Sequence, residues 1–175
     1  MSIIEHNYAP VYEECLRPYL RKENKKLVIA EVGILKGTGL ALWSDLFEHA
    51  RILGFDIDLS YVHENMPDLI ARGAFKSNNL ELYEFDQYAD NRGLAETILQ
   101  GDSLDIIIDD GLHFDETIMK TIESLRPFFA DDFLYIIEDN STVYSKIRSV
   151  YGDYAIENIG KITIIRNRLS VHEKA

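Results

Sequence analysis

LDIIIDDGLHFDETI, residues 104–118, is the stretch on which the fold turns, and LYIIEDN at residues 134–140 answers it. Each is a β-branched apolar run that stops abruptly in acids: Ile106, Ile107 and Ile108 before Asp109 and Asp110, then Ile136 and Ile137 before Glu138 and Asp139. A strand apolar on both faces suits the interior of a parallel sheet, and ligands of such sheets collect outside the carboxyl ends of the strands. The two runs are therefore expected to deliver carboxylates to one sheet edge, with His113, three residues after Asp110, beside them. Taken alone, Asp109 and Asp110 would suit the start of a helix near Phe114. The second acidic pair and the histidine favour a site over a cap.

Outward from these runs, helical and strand patterns alternate. Residues 8–22 place Val11, Cys15, Leu16 and Leu20 near helical spacing, with Pro18 expected to kink or end the helix. LVIAEV at 27–32 reads as a first buried strand, GILKGTG as a glycine turn and LALWSDLFEHA as a helix. RILGFDID gives a second strand, residues 59–73 a helix, and NLELYEFD a third strand ending in Asp86. A helix near 92–99 precedes the 105–108 strand, FDETIMKTIESLRPFF gives another helix, and 133–138 is a fifth strand. STVYSKIRSVYG reads as helical, and DYAIENIGKITIIRN as two strands joined across Asn158, Gly160 and Lys161. This order predicts an α/β fold, a doubly wound, mostly parallel seven-stranded sheet with a C-terminal antiparallel hairpin. One domain is expected over 1–175, with a helical segment at 1–26, a core carrying the site at 27–140, and a helix and hairpin at 141–175.

A chain of 175 residues can bury a core without disulfides or structural metal. Its net charge of -12 argues against nucleic acid and anionic membrane as main partners, because both draw on Lys and Arg. Cys15 is the one cysteine, so no intrachain disulfide exists. MSIIEHNY has neither the basic start nor the apolar core of a signal peptide, and no apolar run approaches ~20 residues. A cytoplasmic protein is expected.

Gly33, Gly37 and Gly39 lie between the first strand and the next helix, where missing side chains let a nucleotide-like ligand approach the backbone. Asp56, with Asp58 second to it, is placed at the next strand end to accept from ribose hydroxyls. The spacing is not Gly-x-Gly-x-x-Gly. It is Glu-x-Gly-x-x-x-Gly from Glu31 to Gly37, which resembles the first loop of class I S-adenosylmethionine methyltransferases. IIIDDGLH, a helix and then RPFFADDFLYIIEDN resemble the bacterial metal-dependent macrolide and sugar O-methyltransferases, whose pattern is IIDDGSH followed by a proline, a turn and a strand ending IED. HNYAPVYEECLRPYL, AEVGILKGTGLALW, GFDID and EFDQ extend the likeness over most of residues 6–140.

The resemblance implies an O-methyltransferase using S-adenosylmethionine and Mg²⁺ or another divalent cation on a sugar or glycoside hydroxyl. Asp110, Glu138 and Asp139 match the family's metal-binding acids and His113 its general base. Asp86 and Gln87 match its adenine-side pair, and Asp109 joins the cofactor-binding set with Gly33 and Gly37. Glu31 either meets the methionine amino group or holds the glycine turn. Lys36 and Thr38 either offer donors to the cofactor carboxylate or are loop surface. Tyr8 and Tyr12 read as packing residues, Tyr8 with a second role in closing over the cofactor. The chain departs from the family at Leu112 for serine, at Asp131-Asp132 for a Gly-Gly turn, and at Asn140 for an apolar residue or threonine. Three readings stay open: a sugar methyltransferase, a methyltransferase of catechol-like or other vicinal diols, and a non-catalytic cofactor-binding partner protein. The apolar positions Val11, Tyr19 and Leu20 suit either the core or a homo-oligomer.

Overall fold

The alternating patterns close into one seven-stranded sheet in the computed structural model, which describes residues 8–21 and 26–168. The strands are β1 (Val28–Val32), β2 (Arg51–Asp56), β3 (Asn79–Glu84), β4 (Leu104–Asp109), β5 (Phe129–Ile137), β6 (Tyr154–Ile159) and β7 (Ile162–Asn167). Their spatial order is β3-β2-β1-β4-β5-β7-β6. The first five run parallel, and β7 returns antiparallel between β5 and β6. The expected doubly wound sheet and closing hairpin are thus both present. Because the chain winds away from β1 first toward β3 and then toward β5, a crevice opens between the carboxyl ends of β1 and β4.

The helices are α1 (Ala9–Leu20), α2 (Thr38–Leu46), α3 (Ser60–Ala71), α4 (Arg92–Leu99), α5 (Asp115–Leu125) and α6 (Val143–Val150). Strand alternation sorts them into two layers. Ile29, Ile106, Ile108, Leu134 and Ile136 pack with Tyr12 and Leu16 of α1, Leu40 and Trp43 of α2, and Val62 of α3. Ala30, Val32, Ile107, Tyr135 and Ile137 pack with Ile98 of α4, Ile118 and Ile122 of α5, and Ile147 of α6. The same alternation fixes the acids. Glu31, Asp110 and Glu138 continue the first face, whereas Asp109 continues the second.

Several boundaries differ from the sequence reading. α5 ends at Leu125 rather than 129, α2 spans Thr38–Leu46 rather than 40–50, and β3 ends at Glu84 rather than Asp86. Three further differences bear on the site. α1 runs through Pro18 to Leu20, since the proline falls in the last turn, where the helix ends two residues later anyway. β2 stops at Asp56, and Asp58 instead accepts the Ser60 N–H at 2.9 Å at the entry to α3. β5 starts at Phe129 rather than 133, directly after a 3₁₀ turn at Arg126–Phe128. Asp131 and Asp132 therefore lie inside the strand, at a break in the β4–β5 register. Their carbonyls accept from Asn167 Nδ2 and the Tyr19 hydroxyl, both at 3.0 Å.

Candidate active site

Two cavities meet at the carboxyl ends of β1 and β4. The larger, about 590 Å³, is lined by Gly33, Asp56, Asp86, Gln87, Asp110 and His113 among others. The smaller, about 120 Å³, is lined by Glu31, Gly33, Lys36, Thr38, Asp110 and Glu138 among others. Gly33 and Asp110 belong to both, so the crevice is continuous across the switch point. Gly33 has φ +86°, and a β-carbon there would lie 2.3 Å from the Asp110 carbonyl oxygen. Only glycine lets the two loops touch.

Glu31 is buried and receives the indole N–H of Trp43 at 2.8 Å. Burial raises its pKa to about 8 against the lowering effect of that bond, with Asp110 and Glu138 adding to the rise. Asp110 is raised to about 6, chiefly by burial and then by its neighbours Asp139 and Asp109. Glu138 is raised to about 7 by burial, although the Tyr12 hydroxyl donates to it at 2.5 Å. The Tyr8 hydroxyl donates to Asp139 at 2.7 Å. The two phenols stand one helical turn apart, Tyr8 at the N-cap of α1 and Tyr12 in its first turn, so one helix start braces both consecutive acids after β5. Both were read as packing residues, Tyr8 with a second role in closing over the cofactor; only their i, i+4 spacing hinted at a shared target.

One ligand atom each from Asp110, His113 and Asp139 lies within 4.8 Å of the others, close enough to hold one metal ion. Glu138, expected as a metal ligand, is not in that group and sits beside it against Tyr12 and the smaller cavity. His113 Nε2 is 3.8 Å from Asp110 Oδ1. Exposed Lys161 reaches Asp139 at 3.9 Å.

The residues grouped around a cofactor divide. Asp56 lines the larger cavity while one oxygen accepts the Leu35 N–H at 2.9 Å, tying β2 to the glycine turn. Asp86 lines it too and accepts the Tyr88 N–H at 2.9 Å. Gly37, at φ +73°, opens α2, with Thr38 as the first helical residue. The Lys36 carbonyl is held by Asn65, and its side chain is exposed. Gln87 is turned inward: both amide protons go to Asp109 and Thr121 at 3.0 Å, and its oxygen accepts the Leu112 N–H at 2.8 Å. Asp109 lines neither cavity. It is buried on the far face and held by Gln87 and by the Tyr135 hydroxyl at 2.9 Å, so it braces the turn from behind.

Asp109 and Asp110 were indistinguishable as residue types, and alternation separates them into brace and site. Trp43 and Asn140 escaped sequence reasoning as site elements, since neither an indole in an apolar helix nor an amide after two acids signals its partner.

No family model matches the chain. Among curated proteins it is 29% identical over 147 residues to demethylmacrocin O-methyltransferase of Streptomyces fradiae, covering 79% of this chain and 33% of that protein. It is 25% identical over 163 residues to 8-demethyl-8-alpha-L-rhamnosyl tetracenomycin-C 2'-O-methyltransferase of Streptomyces olivaceus, covering 89% and 39%. The chain thus spans about a third of the length of these relatives. Among solved structures, the MycE methyltransferase of the mycinamycin biosynthetic pathway, in complex with Mg, SAH and mycinamycin VI, matches with a TM-score of 0.69 at 19% identity, over 91% of this chain and 48% of that one. A ribosomal protein L11 methylase from Lactobacillus delbrueckii subsp. bulgaricus matches at a TM-score of 0.58 and 17% identity, over 93% and 80%. The chain therefore has the class I S-adenosylmethionine methyltransferase fold and, in sequence, resembles the bacterial macrolide and sugar O-methyltransferases.

Proposed function

We propose that this protein is an S-adenosylmethionine-dependent, divalent-metal-dependent O-methyltransferase that methylates a hydroxyl of a sugar or glycoside. The observation that carries the reading is the convergence of Asp110, His113 and Asp139 within 4.8 Å at the switch-point crevice. The donor set fits a hard cation: carboxylate oxygens dominate, and Glu31, Asp110 and Glu138 are pushed toward their neutral forms by burial and by one another. Asp110 and Asp139 would hold the metal, with Glu138 joining from the adjacent position. A bound cation would supply Lewis acidity, making a coordinated hydroxyl easier to deprotonate.

The larger cavity would take the nucleoside of the methyl donor, with Asp56 accepting from the ribose and Asp86 on the adenine side. Glu31, Lys36 and Thr38 line the smaller cavity, where the methionine end would lie. The acidic crevice also suits the positive sulfonium. His113 would take the proton of the acceptor hydroxyl, and the methyl donor would supply the methyl group to that oxygen, its sulfonium leaving as a neutral thioether. A second role for His113 is favoured by the same grouping, because its imidazole is near enough to Asp110 and Asp139 to be a metal ligand itself. The sequence likeness to demethylmacrocin O-methyltransferase and to 8-demethyl-8-alpha-L-rhamnosyl tetracenomycin-C 2'-O-methyltransferase supports the sugar reading. The vicinal-diol reading uses the same acids and is separated by an acceptor screen. Among the described residues no helix is long and apolar enough to cross a membrane. A cytoplasmic site of action accords with the lone, buried thiol of Cys15.

Calorimetric titration with S-adenosylhomocysteine, with and without Mg²⁺, tests the reading. Micromolar binding is expected; no heat and no thermal shift would overturn it.

A further inference from the structure

We propose that Asn140 is a positioning residue that fixes the His113 loop against the acidic end of β5, an inference that takes the role of His113 from the proposed function. Asn140 is buried and directly follows Asp139. Its side chain faces two ways. Nδ2 donates to the His113 carbonyl at 2.9 Å and to Asp115 Oδ1 at 3.0 Å. Oδ1 accepts the N–H groups of Thr142 at 2.8 Å and Val143 at 2.7 Å, at the start of α6. Its backbone N–H is held by the Lys161 carbonyl at 3.0 Å. One residue thus joins the loop after β4, the loop after β5 and the β6–β7 turn, with both amide protons committed.

The anchor falls where the backbone needs it. His113 and Asp139 both have positive φ, 56° and 51°, a left-handed conformation that side chains with a β-carbon disfavour. The imidazole gives itself no support: Nδ1 is buried and has no hydrogen-bond partner among the described residues. Histidines that act at a fixed angle usually hold that nitrogen against a carbonyl or carboxylate. Here the aim of Nε2 toward Asp110 is set through the main chain. Gln87 grips the preceding N–H, of Leu112, and Asn140 grips the carbonyl of His113 itself. A helix cap alone would use only Oδ1, whereas the two Nδ2 bonds serve the base loop.

Asn140→Asp keeps the cap oxygen and removes both amide protons; Asn140→Ser, which also keeps a short acceptor, guards against repulsion from Asp115. The readout is carbethoxylation of His113 by diethyl pyrocarbonate in the metal-free protein, followed by peptide mass spectrometry. Exposed His49 and His63 in the same chain calibrate the reagent. In both variants His113 is expected to react about tenfold faster relative to these references, the equivalent of one lost hydrogen bond, with Tm within about 3 °C of the parent. An unchanged His113 rate in both, or a rise explained by a matching fall in Tm, would overturn the inference. Adding Mg²⁺ to the parent is a separate arm. Failure of Mg²⁺ to slow His113 modification counts against the metal reading and leaves the variant comparison, made without metal, standing.

Discussion

At the N-terminal ends of β2 and β3, Arg51 forks onto Glu81 through bonds of 2.8 and 2.9 Å and reaches Asp102 at 3.0 Å. At the opposite end of the sheet, Glu31, Asp110 and Glu138 face one another, with exposed Lys161 near Asp139 as the cation beside them. The Arg51 guanidinium holds the Glu81 carboxyl down at about 2, while the crevice acids rise to about 8, 6 and 7. Carboxylates are thus held ionised at one edge and pushed toward their neutral forms at the other. The second arrangement costs stability, because burying like charges together is unfavourable.

The largest effect should come from the crevice histidine. His113→Ala is expected to lower methyl transfer by ~10²–10⁴-fold with S-adenosylhomocysteine affinity within about twofold of the parent. Full activity in the variant would remove His113 from the chemistry. Asp56→Ala should weaken that affinity by the loss of a charge-assisted hydrogen bond, about 1.5–3 kcal/mol. Equal affinity by calorimetry would move the ribose contact elsewhere. At the other edge, Arg51→Met should cost about 2 kcal/mol in denaturant unfolding, less than a fully buried pair because Glu81 and Asp102 are partly solvated. Cofactor binding should be untouched, and a large loss of it would collapse the distinction between the two edges.

The split between edges was only half legible in the sequence. IIIDD and IIED announce strands that end in carboxylates, and the doubly wound order follows from alternating periods. The strand alternation that sends Asp110 into the crevice and Asp109 behind it depends on which face each isoleucine takes. That is decided only once α1 and α2 cover one side and α4 to α6 the other. The partners that tune the acids were invisible for a different reason. Tyr8 and Tyr12 lie more than 120 positions before Glu138 and Asp139, and no local pattern encodes a contact at that range. Asn140 stood out as a departure from a family pattern, yet its five side-chain bonds depend on turns that form around it.

The most direct comparison of the edges lies in stability against pH. Glu31, Asp110 and Glu138 hold their protons in the folded state up to about pH 8, 6 and 7, whereas ordinary unfolded carboxyls lose theirs near ~4. The folded chain therefore binds more protons through that window, so the stability these groups contribute is fully present below ~4 and is lost as pH rises through their folded values. Glu81 runs the other way. Its folded pKa of about 2 lies below the unfolded one, so its contribution is present above ~4.5 and is lost as pH falls toward about 2. Metal-free protein should consequently melt several degrees lower at about pH 8 than at about pH 5. Glu138→Gln should flatten that decline, since the neutral amide has no proton to lose. Saturating Mg²⁺ should do so as well, because it binds the ionised acids of the folded state. A Tm that climbs from about pH 5 to about pH 8, with the same slope in Glu138→Gln, would mean that the crevice acids are already neutralised within the protein, and the contrast with the Arg51 edge would vanish.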